Sequence, residues 1–375
     1  MMNPRSRRLK ALIIKEGLQI VRDPSTLLIS VVLPILLIFL YAYGVSLDLD
    51  HLPLGLVMED TAPDAVSLSR SFIDSRYFDV LIVRDRRNLI NDLQRGSIRG
   101  FVVIPSYFTQ FRNRPEQIAP IQVIADGSEP NTANFVQNYV QGALQNWLQQ
   151  EAISSNLTGL PLIGVQSRFW YNEQLESRNF LLPGSLAIIM TLIGILLTAL
   201  VVAREWERGT MEALMATPIG IIELIIGKIA PYFLLGLLSM AICFVLTVYV
   251  FGIPFRGSIW LLLIVTTAFL FAALSLGLMI STLGKNQLVS FQISVVVGFL
   301  PAYILSGFLF EIYSMPAWIR ALTYLMPARY FVTCLQTLFL VGNVWELIVL
   351  NIIPMIAIGL AFLMITLRKT VKRLD

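Results

Sequence analysis

The hydrophobic pattern along the chain falls into two regimes. Six apolar stretches carry no charged residue: 26–45, 179–203, 229–251, 257–284, 286–310 and 347–367. A helix needs about 20 apolar residues to cross a hydrocarbon core of ~30 Å, and every stretch reaches that length. The pattern predicts six transmembrane helices, TM1 to TM6 in that order. Residues 1–25 ahead of TM1 read as an interfacial helix, and 368–375 as a tail. Segment 311–346 is broken by Pro316 and Pro327 and reads as a re-entrant or interfacial hairpin, with Trp318 and Tyr324 suited to the headgroup belt.

The 133 residues from 46 to 178 follow a different rhythm. Short apolar runs at 54–58, 79–83, 101–104 and 121–125 are bounded by Pro, Gly, Asp or Asn and read as strands. Segments 65–73 and 86–93 read as helices, and 132–151 as a longer one whose apolar face carries Val136, Tyr139, Val140, Ala143, Leu144, Trp147 and Leu148. The predicted fold class is an α-helical polytopic membrane protein with a mixed α/β domain inserted between TM1 and TM2.

Composition agrees: 56% of residues are hydrophobic and 14% charged, with mean hydropathy +0.72. Soluble domains carry about 25% charge, so a soluble enzyme is excluded. The distribution of charge adds an orientation. The N-terminal segment, 204–228, Lys285 and the C-terminal tail together hold 14 basic residues against 7 acidic ones, including all six lysines. The positive-inside rule makes that side cytoplasmic. Both termini are then cytoplasmic and the α/β domain external. The pI of about 9.1 reflects this topology and not a nucleic-acid-binding surface. A cleaved signal peptide fits poorly, because the first apolar run starts late and is too long for one. Cys243 and Cys334 make no disulfide framework.

Candidate chemistry is sparse. His51, the only histidine, stands beside Asp48 and Asp50, an arrangement more often solvated than metal-binding or catalytic. There is no Gly-x-Ser-x-Gly elbow, and the sequon at 156–158 is a triplet frequent by chance. Gly227-Lys228 hints at a phosphate loop, but that motif needs Gly six residues before its Lys and Ser or Thr after it; positions 222 and 229 are both Ile. No ATPase, cofactor or metal site is expected in this chain. The six stretches also lack the ionisable residues typical of ion coupling. That weighs against an ion-coupled secondary transporter. A receptor sensing through the external domain would need only one span.

Segment 204–228, REWERGTMEALMATPIGIIELIIGK, is charged and amphipathic directly after an apolar stretch. By itself it suits either a solvated connecting loop or a helix held against the membrane to receive a push. Its residues resemble the hallmark of ABC-2-type permeases: Arg204, Glu205, Glu207, Arg208, Gly209, Thr210, Glu212, Leu214, Pro218, Glu223, Gly227 and Lys228. KEGLQIVRDP at 15–24, FLLPG at 180–184 and the broken segment at 305–331 match the same family in order, so the resemblance covers nearly the whole chain. Together with the inserted α/β domain, it is similar to bacterial inner-membrane drug-exporter permeases.

The resemblance implies a half-transporter that is not itself an enzyme. A second permease subunit, identical or paralogous, would complete the path. Two copies of a separate ABC ATPase would bind ATP and Mg and dock on 204–228; Glu205, Glu207, Arg208, Gly209, Thr210, Glu212, Pro218, Glu223 and Lys228 would couple the two. A periplasmic adaptor for the external domain is open. TM2 and TM5 would line the path through Thr191, Thr198, Gln292, Ser294, Phe299, Tyr303 and Ser306, although such groups serve equally well as hydrogen-bonding partners between helices. An uncharged lining suits a hydrophobic or amphipathic drug, or a lipid.

Overall fold

The computed structural model describes residues 4–44, 51–112, 121–126, 130–154, 176–217 and 219–370. Asp48, Asp50, the sequon at 156–158 and Pro218 lie outside them. The chain divides into two compact units, Leu47–Ser167 and a second made of Met1–Ser46 with Arg168–Asp375.

The second unit begins with α1 (Pro4–Val21) and α2 (Pro24–Gly44). The break between them is encoded by Asp23-Pro24. Pro24 sits at the first helical position, where its missing N–H costs nothing, and the Asp23 carboxylate accepts the Ser25 N–H at 3.2 Å as N-cap.

The inserted unit is α/β. Its elements are β1 (Leu52–Met58), α3 (Pro63–Ile73), β2 (Phe78–Val83), α4 (Arg86–Gln94), β3 (Gly100–Ile104), α5 (Phe108–Arg112), β4 (Gln122–Ala125) and α6 (Pro130–Ser154). The sheet order is β2-β1-β3-β4, with β1 parallel to both neighbours and β3–β4 antiparallel. The strand period of two splits the core. Leu52, Leu54 and Leu56 join Val102, Ile104 and residues of α3 and α6 on one face, while Val57, Phe101 and Val103 join Leu89 of α4 on the other. Asp60, after β1, accepts bonds from the Ala62 N–H (2.9 Å), the Thr109 N–H (3.0 Å) and the Thr109 hydroxyl (2.7 Å), tying β1 to α5. Partial desolvation opposes ionisation there, but these donors outweigh it and hold the carboxyl below its ordinary pKa.

The chain then continues through α7 (Ser177–Ala199), α8 (Val201–Glu207), α9 (Thr210–Ala216), α10 (Ile221–Val250), α11 (Ile259–Gly284), α12 (Gln287–Leu305), α13 (Ala317–Thr323), α14 (Pro327–Val341) and α15 (Trp345–Lys369). Among the described residues, six helical segments are long and apolar enough to cross a membrane: α2, α7 with α8, α10, α11, α12 and α15. Helix α7 is almost wholly buried, with α2, α10, α11 and α14 packed around it. Close packing with α11 depends on Gly277, whose absent Cβ would collide with the Ile195 carbonyl and the Thr198 hydroxyl.

Segment 311–346 is a helix pair, α13 and α14, bent by 81°. The two halves have different surroundings. α14 is inside the bundle, with Phe331 stacked on Phe269 at 4.0 Å, whereas α13 exposes Trp318 and Leu322. In α12 the helix carries a widened turn over Ser294–Phe299, just ahead of Pro301. Pro301 has no N–H to continue the regular ladder.

Candidate coupling site

The segment 204–228 is not one helix. Gly209 breaks it with φ +68, a left-handed conformation that a side chain would strain. Helix α8 ends before this turn and α9 begins after it. Arg208 and Thr210 at the turn are exposed. Glu212 lies on α9.

Of the remaining charges, Glu205 and Lys228 turn inward toward α1. Lys228 of α10 is 2% exposed, with its Nζ 3.1 Å from Glu16 Oε1 and 3.3 Å from Glu205 Oε1. Lys15 approaches the same two carboxylates, at 2.6 Å to Glu205 and 3.0 Å to Glu16. The Thr210 hydroxyl donates to Glu205 Oε2. Two ammonium groups and two carboxylates thus neutralise each other between α1, α8 and α10. Desolvation opposes the Lys15 charge, but its bonds to Glu205 and Glu16 outweigh that and raise its pKa.

Two outer pairs extend the cluster. Arg204 Nη1 donates to Asp23 Oδ2 at 2.6 Å, and Arg8 lies 3.7 Å from Glu223. Partial burial works against ionised Asp23, yet the Thr26 hydroxyl and Arg204 hold its carboxyl below the usual range. Glu223 also accepts the Gly220 N–H at 3.2 Å, capping α10. At the far end of α8, Glu207 accepts the Gln287 N–H at 2.8 Å and its side-chain amide, joining α8 to the start of α12.

The sequence assigns no coupling role to Lys15, Glu16 or Gln287, although the first two open the KEGLQIVRDP match at 15–24. For Glu16 a signal was present. Leu12, Glu16 and Ile20 recur at i, i+4 and i+8 and are all buried, so Glu16 is a charge in the middle of an apolar helix face. Close approach of α1 and α10 relies on Gly227, where a Cβ would stand 2.9 Å from Leu12 Cβ.

Residues 24–368 match the family model described as ABC-2 family transporter protein. The chain belongs to this family. It is 49% identical over 98% of both chains to a protein of Escherichia coli (strain K12) named "Probable multidrug ABC transporter permease YbhS". The similarly named YbhR of that organism is 29% identical over 94% of this chain and 95% of its own. A protein of Dictyostelium discoideum named "ABC transporter G family member 20" is 23% identical over 88% of this chain and 45% of its own length. The chain is a multi-pass ABC-2 permease, the membrane component of a transporter and not itself an enzyme.

Of the residues expected to line the permease path, four face inward within the chain. Thr191 and Ser294 donate to the carbonyls of Ala187 and Ser290, at 2.7 Å each, and Thr198 to that of Leu274 at 2.9 Å. Ser306 is buried and accepts the Phe308 N–H at 3.3 Å. These hydroxyls satisfy backbone groups where no water is available. In α12, Gln292 is exposed, and Phe299 and Tyr303 are half-buried and stacked at 5.9 Å.

Proposed function

We propose that the chain is the permease subunit of an ATP-driven exporter in the bacterial inner membrane, with both termini cytoplasmic and the α/β domain external. Two copies of a separate ATPase bind ATP and Mg and press on the turn between α8 and α9. Arg208, Gly209, Thr210, Glu212 and Pro218 receive that contact. Glu205, Glu223 and Lys228 pass it on to α1 and α10, and Glu207 passes it to α12. The observation that carries this reading is the cluster of buried Glu16, Glu205 and Lys228, closed on its outer side by the exposed Lys15, directly behind the exposed turn. A push there meets a braced surface.

A second permease subunit, a copy or a paralogue, completes the path against the outer face of α12, where Gln292, Phe299 and Tyr303 meet the solute. An uncharged lining fits a hydrophobic or amphipathic drug-like compound or a lipid, in keeping with the word multidrug in the name of the 49%-identical relative. The external domain offers a surface to a periplasmic adaptor.

The test is export by the reconstituted complex. Arg208→Ala and Glu212→Ala are each expected to leave ATP hydrolysis running while export falls; normal export in both variants rules the coupling out. Placement has its own test, helped by the burial of both native cysteines. Cysteine at Arg95, exposed after α4, is expected to react with an impermeant maleimide on spheroplasts, and cysteine at Arg208 only after lysis.

A further inference from the structure

Helix α1 has a second face that the coupling cluster does not use. Opposite Leu12, Glu16 and Ile20, it exposes Ile14 and Leu18, at 51% and 54%, beside Lys15 and Arg22. With Arg204 and Arg208 of the α8 end, this face walls a groove of about 950 Å³ that opens at Pro24, the first residue of a membrane-spanning helix. Its basic groups are not equivalent. Lys15 is neutralised by Glu205 and Glu16, and Arg204 by Asp23. The side chains of Arg22 and Arg208 have no hydrogen-bond or ion partner among the described residues. The groove therefore holds two free guanidinium groups at the level where water gives way to hydrocarbon.

The apolar wall continues in one direction. Leu28, Val32, Leu36 and Leu40 recur every four residues on α2 and are all about half exposed. They run from the mouth of the groove along a helix with no charged residue. A charged pocket joined to an apolar strip of acyl-chain length matches an amphiphile with an anionic head. An acidic protein surface would match the arginines and leave the strip unexplained.

We propose that this groove binds an anionic phospholipid, with its phosphate on Arg22 and Arg208 and one acyl chain along the leucine strip of α2. Guanidinium suits phosphate because its donors form a planar fork. The bound headgroup bridges α1 to the α8 end beside the coupling turn, so the lipid secures the same two elements that the ion cluster joins.

The full-length chain, purified without its ATPase and stripped of lipid, tests the proposal by native mass spectrometry. Phosphatidylglycerol and cardiolipin are expected to be retained over phosphatidylethanolamine and phosphatidylcholine. Arg22→Gln should lower that retention roughly fivefold, corresponding to ~1 kcal/mol per basic group near anionic lipid. Arg22→Lys should keep most of it, and Arg22→Gln/Arg208→Gln should abolish the preference. Equal retention of all four lipids, or a double variant with the preference intact, overturns the proposal. So does full displacement by millimolar inorganic phosphate, which would mean that the strip contributes nothing. Loss of ATPase co-purification in Arg22→Gln with lipid retention unchanged would assign the groove to the protein partner. Because lipid is weighed on the permease alone, failure here leaves the coupling reading untouched.

Discussion

At the scale of single residues, Lys228 and Glu16 show how charge can reside inside this chain. Each is at most 2% exposed, and each is tolerable because opposite charges face it, Glu16 and Glu205 for Lys228, Lys228 and Lys15 for Glu16. Lys228→Met leaves two carboxylates facing one ammonium, and a broken buried pair costs about 3–5 kcal/mol. Lys228→Met/Glu16→Gln restores neutrality by leaving Lys15 with Glu205. The expected outcome is a large fall in thermal unfolding temperature for the single variant and a smaller one for the double. Asp60 supplies a pH-dependent counterpart. Its folded pKa is depressed, so its contribution is full above the unfolded carboxylate range of about 4 and disappears as pH falls through the lower folded value. Asp60→Asn is expected to lower the unfolding temperature of the α/β domain at neutral pH, and the gap from the parent should close in acid.

At the scale of elements, helix approach distances decide the architecture. A methyl at Gly277 would meet backbone on α7 and not the end of a flexible chain, so the helices must separate. Gly277→Ala is expected to reduce folded yield and thermal stability, whereas Gly142→Ala on α6, where a Cβ meets nothing within 4 Å, should be neutral or slightly stabilising. Size-exclusion profiles with thermal unfolding compare the two directly. Gly209 differs again: its surroundings are open and the constraint lies in φ alone. Gly209→Ala should therefore cost about 1–2 kcal/mol through left-handed backbone strain, with export falling more than stability because the coupling turn is what shifts.

For the whole molecule, burial of the apolar spans is unequal. Helix α7 is enclosed, while α2, α10, α12 and α15 keep most of their apolar surface outward. That surface awaits lipid or another subunit, and the two cysteines lie away from it. Cys243 and Cys334 are both expected to resist a maleimide in the native state and to react after unfolding, by intact-mass labelling. The six apolar helices and four strands seen among the described residues, and the break around Pro316 and Pro327, were legible in the sequence. Each follows from local rules: span length, strand period, and the missing proline N–H. The direction in which a polar side chain points was not legible. Thr191 and Thr198 read equally well as lining or as packing; in the fold both are buried, Thr191 bonded to the Ala187 carbonyl of its own helix and Thr198 to the Leu274 carbonyl of α11. Lys228 looked like part of a docking surface, yet its partner is 212 residues away in α1. The sequence by itself determined where apolar and charged segments lie, because hydropathy is a property of each residue. Only the tertiary structure decided which charges face one another, because a buried ion pair exists only once distant helices have packed.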